Sequence, residues 1–151
     1  MKVLIPMAGA GSRFAREGYT FPKPLIDVKG KPMIQTVVEN LDFDCDYVFL
    51  VRKEHLEKYS GMLDTLDRIT NGRFDYVEVD GLTEGAACTA LLAKDLINNE
   101  EDLLIANSDQ YIEYEPENFK MLKYLSDVDA MVYTFNAVHP KWSFVKTNSR
   151  G

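Results

Sequence analysis

The residues best suited to chemistry in this chain form a glycine-rich loop with basic residues after it. The loop reads Ala8-Gly9-Ala10-Gly11-Ser12-Arg13, and Lys23 follows it, held between two prolines. Glycines let a ligand approach the backbone amides closely because they carry no β-carbon. Exposed amides beside fixed positive charge are typical of phosphate sites. The sequence therefore predicts that this loop binds a phosphate group.

The charge distribution agrees with a small anionic ligand. The chain of 151 residues has a net charge of −7, which argues against general binding of nucleic acid. Residues 2–31 hold six basic and two acidic side chains, a balance of +4, so the remainder carries −11. A basic segment on an acidic protein suits a small anion better than a polyanion.

Composition places the chain among soluble globular proteins of one domain. Hydrophobic residues make up 46% and charged residues 27%, and no apolar run approaches the ~20 residues that cross a bilayer. The N-terminus lacks the pattern of a signal peptide. Cys45 and Cys88 are isolated, which predicts reduced thiols rather than a disulfide or a zinc site. We therefore expect a cytoplasmic protein without a membrane partner.

The apolar pattern predicts strands and helices in alternation, which indicates an α/β fold with a mainly parallel sheet. The run Val3-Leu4-Ile5 is typical of a buried first strand, and Pro32 is well placed in the first turn of a helix. Gly30 is interpreted as a turn residue. The predicted strands are 2–7, 46–51, 74–79, 103–106, 130–135 and 142–146, and the predicted helices are 32–41, 54–69, 84–98 and 117–125.

Three segments follow the carboxyl ends of predicted strands, where ligands bind in such sheets. They are the glycine-rich loop, Thr83-Glu84-Gly85 and Asp109. Thr83 is predicted to cap the next helix, and the small residues after it either admit a base or ribose or pack closely on the sheet. Asp109 is a candidate Mg²⁺ ligand, because Mg²⁺ is commonly held by one or two carboxylates and substrate phosphates. The acidic residues at 42–46 are interpreted as a solvated turn.

Two common phosphate motifs are excluded. A dinucleotide fingerprint requires a third glycine where this chain has Phe14, and a Walker A loop requires Ser or Thr where Pro32 follows Lys31. The residues instead match an ordered pattern: Gly9-Ala10-Gly11-Ser12-Arg13, then Pro22-Lys23-Pro24-Leu25, then Gly30-Lys31-Pro32-Met33-Ile34. This pattern resembles the sugar-phosphate nucleotidyltransferase family, in particular its members of capsule and surface polysaccharide synthesis.

The resemblance implies a three-layer sandwich of the Rossmann-like, glycosyltransferase-A-like kind. It implies that the amides of residues 8–12 and Arg13 hold the triphosphate of a nucleotide, that Lys23 contacts the phosphates at the reacting centre, and that Asp109 binds Mg²⁺. Arg13 and Lys23 are then the catalytic residues, and Thr83, Glu84 and Gly85 face the nucleotide. The family's usual small residue-Gly-Asp reads Asn107-Ser108-Asp109 here.

The expected reaction joins a nucleoside triphosphate to a sugar phosphate, giving a nucleotide sugar and pyrophosphate. The alternatives are a cytidylyltransferase with a non-sugar phosphate acceptor, a glycosyltransferase-like protein, and a non-catalytic nucleotide-binding module. Residues 1–151 are expected to be the nucleotide-binding part of a truncated single domain, without the acceptor-binding part and the second metal-binding aspartate that the family uses. The sequence leaves the base, the acceptor and a homo-oligomeric state open.

Overall fold

The computed structural model describes residues 1–11, 14, 16–18, 21–115, 117, 121 and 129–148. Met1–Tyr114 form one compact unit and Glu115–Gly151 a second. The strands of the first unit are β1 (Lys2–Pro6), β2 (Asp27–Val28), β3 (Lys31–Pro32), β4 (Asp46–Arg52), β5 (Phe74–Val79) and β6 (Leu103–Ile105). Its helices are α1 (Met33–Leu41), α2 (Lys53–Lys58), α3 (Gly61–Thr70), α4 (Ala86–Leu91) and α5 (Lys94–Ile97), with a 3-10 helix at Lys23–Leu25.

Four parallel strands form the central sheet in the order β5-β4-β1-β6. Pro6 is level with Leu50 of β4, and Leu4 is level with Ile105 of β6. Residues Val3–Ile5 are completely buried, as expected for a strand covered on both faces. The predicted strands at 2–7, 46–51, 74–79 and 103–106 are therefore confirmed to within about one residue.

Helices cover both faces of this sheet, which makes three layers. One face packs against α1 and α3 around Phe49, and the other packs against α4 and α5 around Leu50. Alternate residues of β1 enter the two cores, because side chains of a strand point to opposite faces. The predicted α/β sandwich with a parallel central sheet is confirmed.

Two of the predicted helices are each broken into two. The helix predicted at 54–69 divides into α2 and α3 at Tyr59, whose φ of −130° and ψ of 81° are not helical. The helix predicted at 84–98 divides into α4 and α5, and its N-cap residue is Gly85, without a capping side chain. The prediction that Thr83 caps this helix is wrong, since the Thr83 hydroxyl instead contacts the hydroxyl of Thr89.

A short hairpin, not predicted from the sequence, precedes α1. Lys29 and Gly30 connect β2 to β3 with φ values of +54° and +84°. Positive φ at both central residues is characteristic of a type I′ turn, so Gly30 is a turn residue as predicted. The amide of Gly30 also donates a hydrogen bond to the Asp27 carboxylate at 3.1 Å. Because Pro32 ends β3, α1 begins one residue later than predicted.

In the second unit, the strands predicted at 130–135 and 142–146 are not formed. Residues 129–148 are irregular, and Met131, Val132 and Phe135 are exposed. An apolar run becomes a strand only where a neighbouring strand completes its hydrogen bonds. Here Phe135 instead meets Trp142 edge to face, with ring centroids 5.0 Å apart. Most of the helix predicted at 117–125 lies outside the described residues.

Cys45 is buried and Cys88 is exposed, and both are free thiols, as the sequence predicts. Within the part of the chain that the structure describes, none of the helices has the length and apolar character needed to cross a membrane.

Candidate active site

A cleft of about 390 Å³ opens where β1 and β6 end. The strand order explains its position. The chain leaves β1 for β4 and then β5 on one side, and returns as β6 on the other side of β1. The strand order therefore reverses between β1 and β6, and in parallel sheets ligands bind at the carboxyl ends of the strands beside such a reversal. The lining residues are Pro6, Met7, Gly9, Gly11, Phe14, Lys23, Pro24, Asn107, Ser108 and Asp109.

The glycine-rich loop forms one wall of this cleft. Gly11 has a φ of +59°, in the left-handed region that favours glycine, and a β-carbon there would lie 3.6 Å from Cβ of Lys23. At Gly9 a β-carbon would have no neighbour within 4 Å and would point into open space. Ala8 is buried in the core, whereas Ala10 is exposed. Ser12 and Arg13 lie outside the described residues.

Lys23 crosses the cleft to the opposite wall. It begins the 3-10 helix, between Pro22 with φ −56° and the buried Pro24, so its backbone has little freedom. Its ammonium nitrogen forms an ion pair with Oδ2 of Asp109 and lies 5.5 Å from the centre of the Phe14 ring. The side chains of Lys23 and Asp109 are only 26% and 38% exposed, so solvent screens this pair less than a surface pair.

Asp109 supplies the carboxylate of the second wall. It follows β6 after the exposed Asn107, which is hydrogen-bonded to Gln110 at 2.9 Å, and the buried Ser108. The described residues contain no cluster of three or more His, Cys, Asp or Glu able to hold a metal by themselves. One carboxylate facing a phosphate-sized cleft suits Mg²⁺, which takes most of its remaining oxygens from substrate phosphates and water. Asp109 therefore fits a metal held jointly with a ligand.

The segment Thr83-Glu84-Gly85 is not among the described residues that line the cleft. It follows the carboxyl end of β5, two strands away from β1. Glu84 and Gly85 are exposed, as are the next two alanines, and it is Ala90 and Ala93 that pack on the sheet. The predicted alternative, in which Gly85 and the two alanines after it pack closely on the sheet, is therefore wrong.

Two buried side-chain nitrogen atoms lie at and just after the carboxyl end of β4. Among the described residues, Nε of Arg52 and Nδ1 of His55 are buried without a hydrogen-bond partner. Burial lowers the pKa of His55, and the charges of Arg52 and Lys58 act in the same direction, against the opposing effect of Glu54. The side chain of His55 is thus favoured in its neutral form.

Comparison with known proteins identifies the family. The sequence model of the family described as nucleotidyl transferase matches residues 2–142. The chain belongs to this nucleotidyl transferase family. Its likeness to sugar-phosphate nucleotidyltransferases is thus confirmed at the level of the family.

Individual nucleotidyl transferase relatives are similar over most of the chain. The bifunctional protein GlmU of Methanocaldococcus jannaschii is 30% identical over 124 residues, which are 82% of this chain and 28% of that protein. A putative glucose-1-phosphate thymidylyltransferase from Bacillus anthracis superposes with a TM-score of 0.66 at 23% identity, over 82% of this chain and 50% of that one. A UDP-glucose pyrophosphorylase in complex with UDP-glucose gives a TM-score of 0.59 at 22% identity, over 82% and 53%.

The chain thus spans under a third of the curated relative and about half of the solved structures that it resembles. At such identities the structural likeness establishes the shared fold. It agrees with the parallel sheet described above.

The cleft also contains residues to which the sequence analysis gave no binding role. Met7, Phe14, Asn107 and Ser108 line it, and the sequence pattern marks Phe14 only as a departure from the dinucleotide fingerprint. Their common signal was available in the sequence, since each lies within a few residues of a predicted glycine loop or strand end. Their convergence was not predictable, because it depends on β6 lying beside β1.

Proposed function

We propose that residues 1–151 supply the nucleotide-binding part of an enzyme that joins a nucleoside triphosphate to a sugar phosphate and releases pyrophosphate. The observation that carries this proposal is the cleft in which the glycine loop, Lys23 and Asp109 meet. Amides and an ammonium group can bind phosphates there, while a carboxylate can hold a metal that neutralises them. The chain's membership of the nucleotidyl transferase family supports the same reaction.

In the proposed reaction, an oxygen of the acceptor phosphate forms a bond to the α-phosphorus. The bond from that phosphorus to the oxygen bridging the β-phosphorus breaks, and its electron pair leaves with pyrophosphate. A general base is unnecessary because the attacking phosphate is already anionic. Catalysis then consists of positioning the phosphates and stabilising the charge that develops on them.

Each wall of the cleft has a part in this reaction. The amides of Gly9 and Gly11 bind the triphosphate, assisted by Arg13 of the same loop, and Lys23 stabilises charge on the transferring and leaving phosphates. Asp109 would hold Mg²⁺, which when bound neutralises phosphate charge and aligns the reacting groups. We also propose that the exposed segment at Thr83, Glu84 and Gly85 contacts the nucleoside.

The setting proposed for this enzyme is polysaccharide biosynthesis in the cytoplasm. Proteins of the same fold support it, since they include a UDP-glucose pyrophosphorylase and a putative glucose-1-phosphate thymidylyltransferase. The free thiols of Cys45 and Cys88 are consistent with a reducing compartment.

The role of the loop is tested by Gly9→Ala. Because a β-carbon at Gly9 would touch no protein atom, the variant should fold normally. The methyl group would instead occupy space used by the phosphates, and we expect binding to weaken by roughly ten- to a hundredfold, as for overpacking of a filled site. Calorimetry with tripolyphosphate and with the four common nucleoside triphosphates, each with Mg²⁺, measures the effect.

Gly61→Ala is the matched control, since a β-carbon at Gly61, the first residue of α3, would also have no neighbour within 4 Å. It should bind as the unmodified protein does. If the Gly9→Ala variant bound these ligands as tightly as the unmodified protein, the loop would not be part of the phosphate site. The whole proposal would fail if the protein released no pyrophosphate from any of the four nucleotides with a broad panel of phosphorylated acceptors.

A further inference from the structure

We propose that Lys23 competes with a divalent metal for Asp109, and that triphosphate binding relieves this competition by drawing the lysine away. The proposal rests on the proposed function and deepens it, because it orders the binding of the two ligands. Free metal binds weakly while the lysine holds the carboxylate. Nucleotide and metal then bind with positive cooperativity.

The first observation is that the two groups proposed to bind different ligands contact each other. Nζ of Lys23 pairs directly with Oδ2 of Asp109, although 86 residues separate them in the chain. A divalent ion on that oxygen would meet an ammonium group at close range, and like charges in a partly buried site repel. Lys23 therefore has to leave before Asp109 can ligate a metal at full strength.

The second observation is that the ammonium group of Lys23 has an alternative position beside the glycine-rich loop. Its Cβ lies beside Gly11, 3.6 Å from where a β-carbon on that glycine would lie, so its stem starts next to the glycine-rich wall of the cleft. The Phe14 ring, 5.5 Å from Nζ, gives the ammonium an aromatic face on the same side. Rotation about the lysine's own side-chain bonds moves Nζ from the carboxylate toward a phosphate at the loop, with no change in the backbone fixed by Pro22 and Pro24.

The third step is electrostatic. A triphosphate brings enough negative charge to accommodate the ammonium and the metal together, whereas the single negative charge of Asp109 balances only the ammonium. Each ligand should then raise the affinity for the other by the same factor, because coupling between two binding sites is reciprocal. The size of the effect follows from the partly exposed Lys23–Asp109 pair, and amounts to roughly fivefold in affinity.

The direct test is the affinity for Mn²⁺ alone, measured by electron paramagnetic resonance of the free ion. We expect Lys23→Gln to bind Mn²⁺ roughly fivefold more tightly than the unmodified protein. Lys23→Arg keeps the charge and should return the affinity to the original value or lower it. Lys31→Gln is the matched control, because Lys31 pairs with Glu39 on the surface and should leave Mn²⁺ binding unchanged.

A Lys23→Gln variant that binds Mn²⁺ no more tightly than the unmodified protein would overturn the competition, provided that its thermal unfolding is unchanged. An equal gain in the Lys31→Gln variant would do the same, since the effect would then be one of net charge. Should Lys23→Gln fold poorly, Lys23→Met offers a neutral side chain of similar length, read in the same way.

A second measurement separates this proposal from the proposed function. Tripolyphosphate binding without metal, in the presence of a chelator, reports the phosphate site alone. If tripolyphosphate binds but Lys23→Gln does not alter Mn²⁺ affinity, the competition is wrong and the phosphate site stands. If tripolyphosphate does not bind but Lys23→Gln tightens Mn²⁺ binding, the competition for Asp109 stands, whereas its relief by a triphosphate and the proposed function are both wrong.

Discussion

The two ends of the central sheet contain similar charged groups with different surroundings. At the carboxyl end, Lys23 pairs with Asp109 inside a cleft. At the amino end, Arg73 pairs with Asp44 and, at 2.9 Å, with Asp46. Asp44 is 93% exposed against 38% for Asp109, so the amino-end pairs are largely solvated. Residue type alone therefore does not distinguish a site from a surface ion pair.

The difference lies in the connections at each end. At the amino end, Asp42 ends α1 with a φ of +47° and β4 begins four residues later. The backbone carbonyl of Arg73 accepts a hydrogen bond from Tyr47 at 3.0 Å, which ties the starts of β4 and β5 together. This end is closed by short turns, and its ion pairs join two adjacent strands. At the carboxyl end the strand order reverses between β1 and β6, and the cleft lies at that reversal.

The largest difference between the two ends is expected when one carboxylate is replaced at each of them. Asp109→Asn removes the proposed metal ligand, and the rate of pyrophosphate release should fall by roughly a hundredfold or more. Tripolyphosphate binding without metal should persist, because Lys23 is then free to bind phosphate.

Asp46→Asn is the matched change at the amino end, and it should alter the rate by less than about twofold, since a solvated ion pair contributes at most about 1 kcal/mol to stability. Steady-state assays of both variants at saturating Mg²⁺ measure these rates of pyrophosphate release. Comparable losses in the two variants would mean that the two ends do not differ in function.

The two ends are also linked by the chain after Asp109. The side chain of Asn40, near the end of α1, donates to the carbonyl of Ile112 at 3.0 Å and accepts from its amide at 2.8 Å. Asn40→Ala removes both partners of a half-buried backbone segment, which should lower the free energy of unfolding by about 2 kcal/mol.

Denaturant unfolding monitored by circular dichroism measures this loss. Gln35→Ala, on the exposed side of α1, removes hydrogen bonds to Arg68 and Glu39 and serves as the control. We expect it to cost less than about 0.5 kcal/mol. A similar cost for both variants would contradict a specific anchor at Asn40.

The smallest expected effect concerns pH and the half-buried His55 after β4. Because burial lowers its pKa in the folded state, the unfolded state binds more protons as the pH falls below the ordinary histidine pKa of about 6.5. The contribution of neutral His55 to stability is therefore present above that pH and is lost below it.

His55→Gln should make the free energy of unfolding less dependent on pH between about 7 and 5. Equilibrium unfolding at several pH values compares it with His139→Gln, which changes an exposed residue of the second unit. If both variants keep the pH dependence of the unmodified protein, His55 does not contribute to it.

The local apolar pattern predicted the strands that are buried on both faces. It failed where a single residue, such as Tyr59, interrupts a helix. β1 and β4 are apolar runs covered on both sides, so their pattern survives in any context, whereas β5 and β6 lie at the edges of the sheet and are partly exposed. The near-helical spacing of Leu56, Leu63 and Leu66 predicts a single helix over 54–69, and it continues across the break at Tyr59 because α2 and α3 turn their apolar sides toward the same core. The apolar run at 130–135 predicted a strand without information about a partner strand.

By itself, the sequence determined the family, the alternation of strands and helices, and the glycine loop with its basic residues, because these depend on residues that are neighbours in the chain. The pairing of Lys23 with Asp109 and the anchoring of Ile112 by Asn40 were decided only by the tertiary structure. Both contacts join residues more than 70 positions apart. They exist because β6 returns to the side of β1 opposite β4, a choice of strand order that the local apolar pattern does not encode.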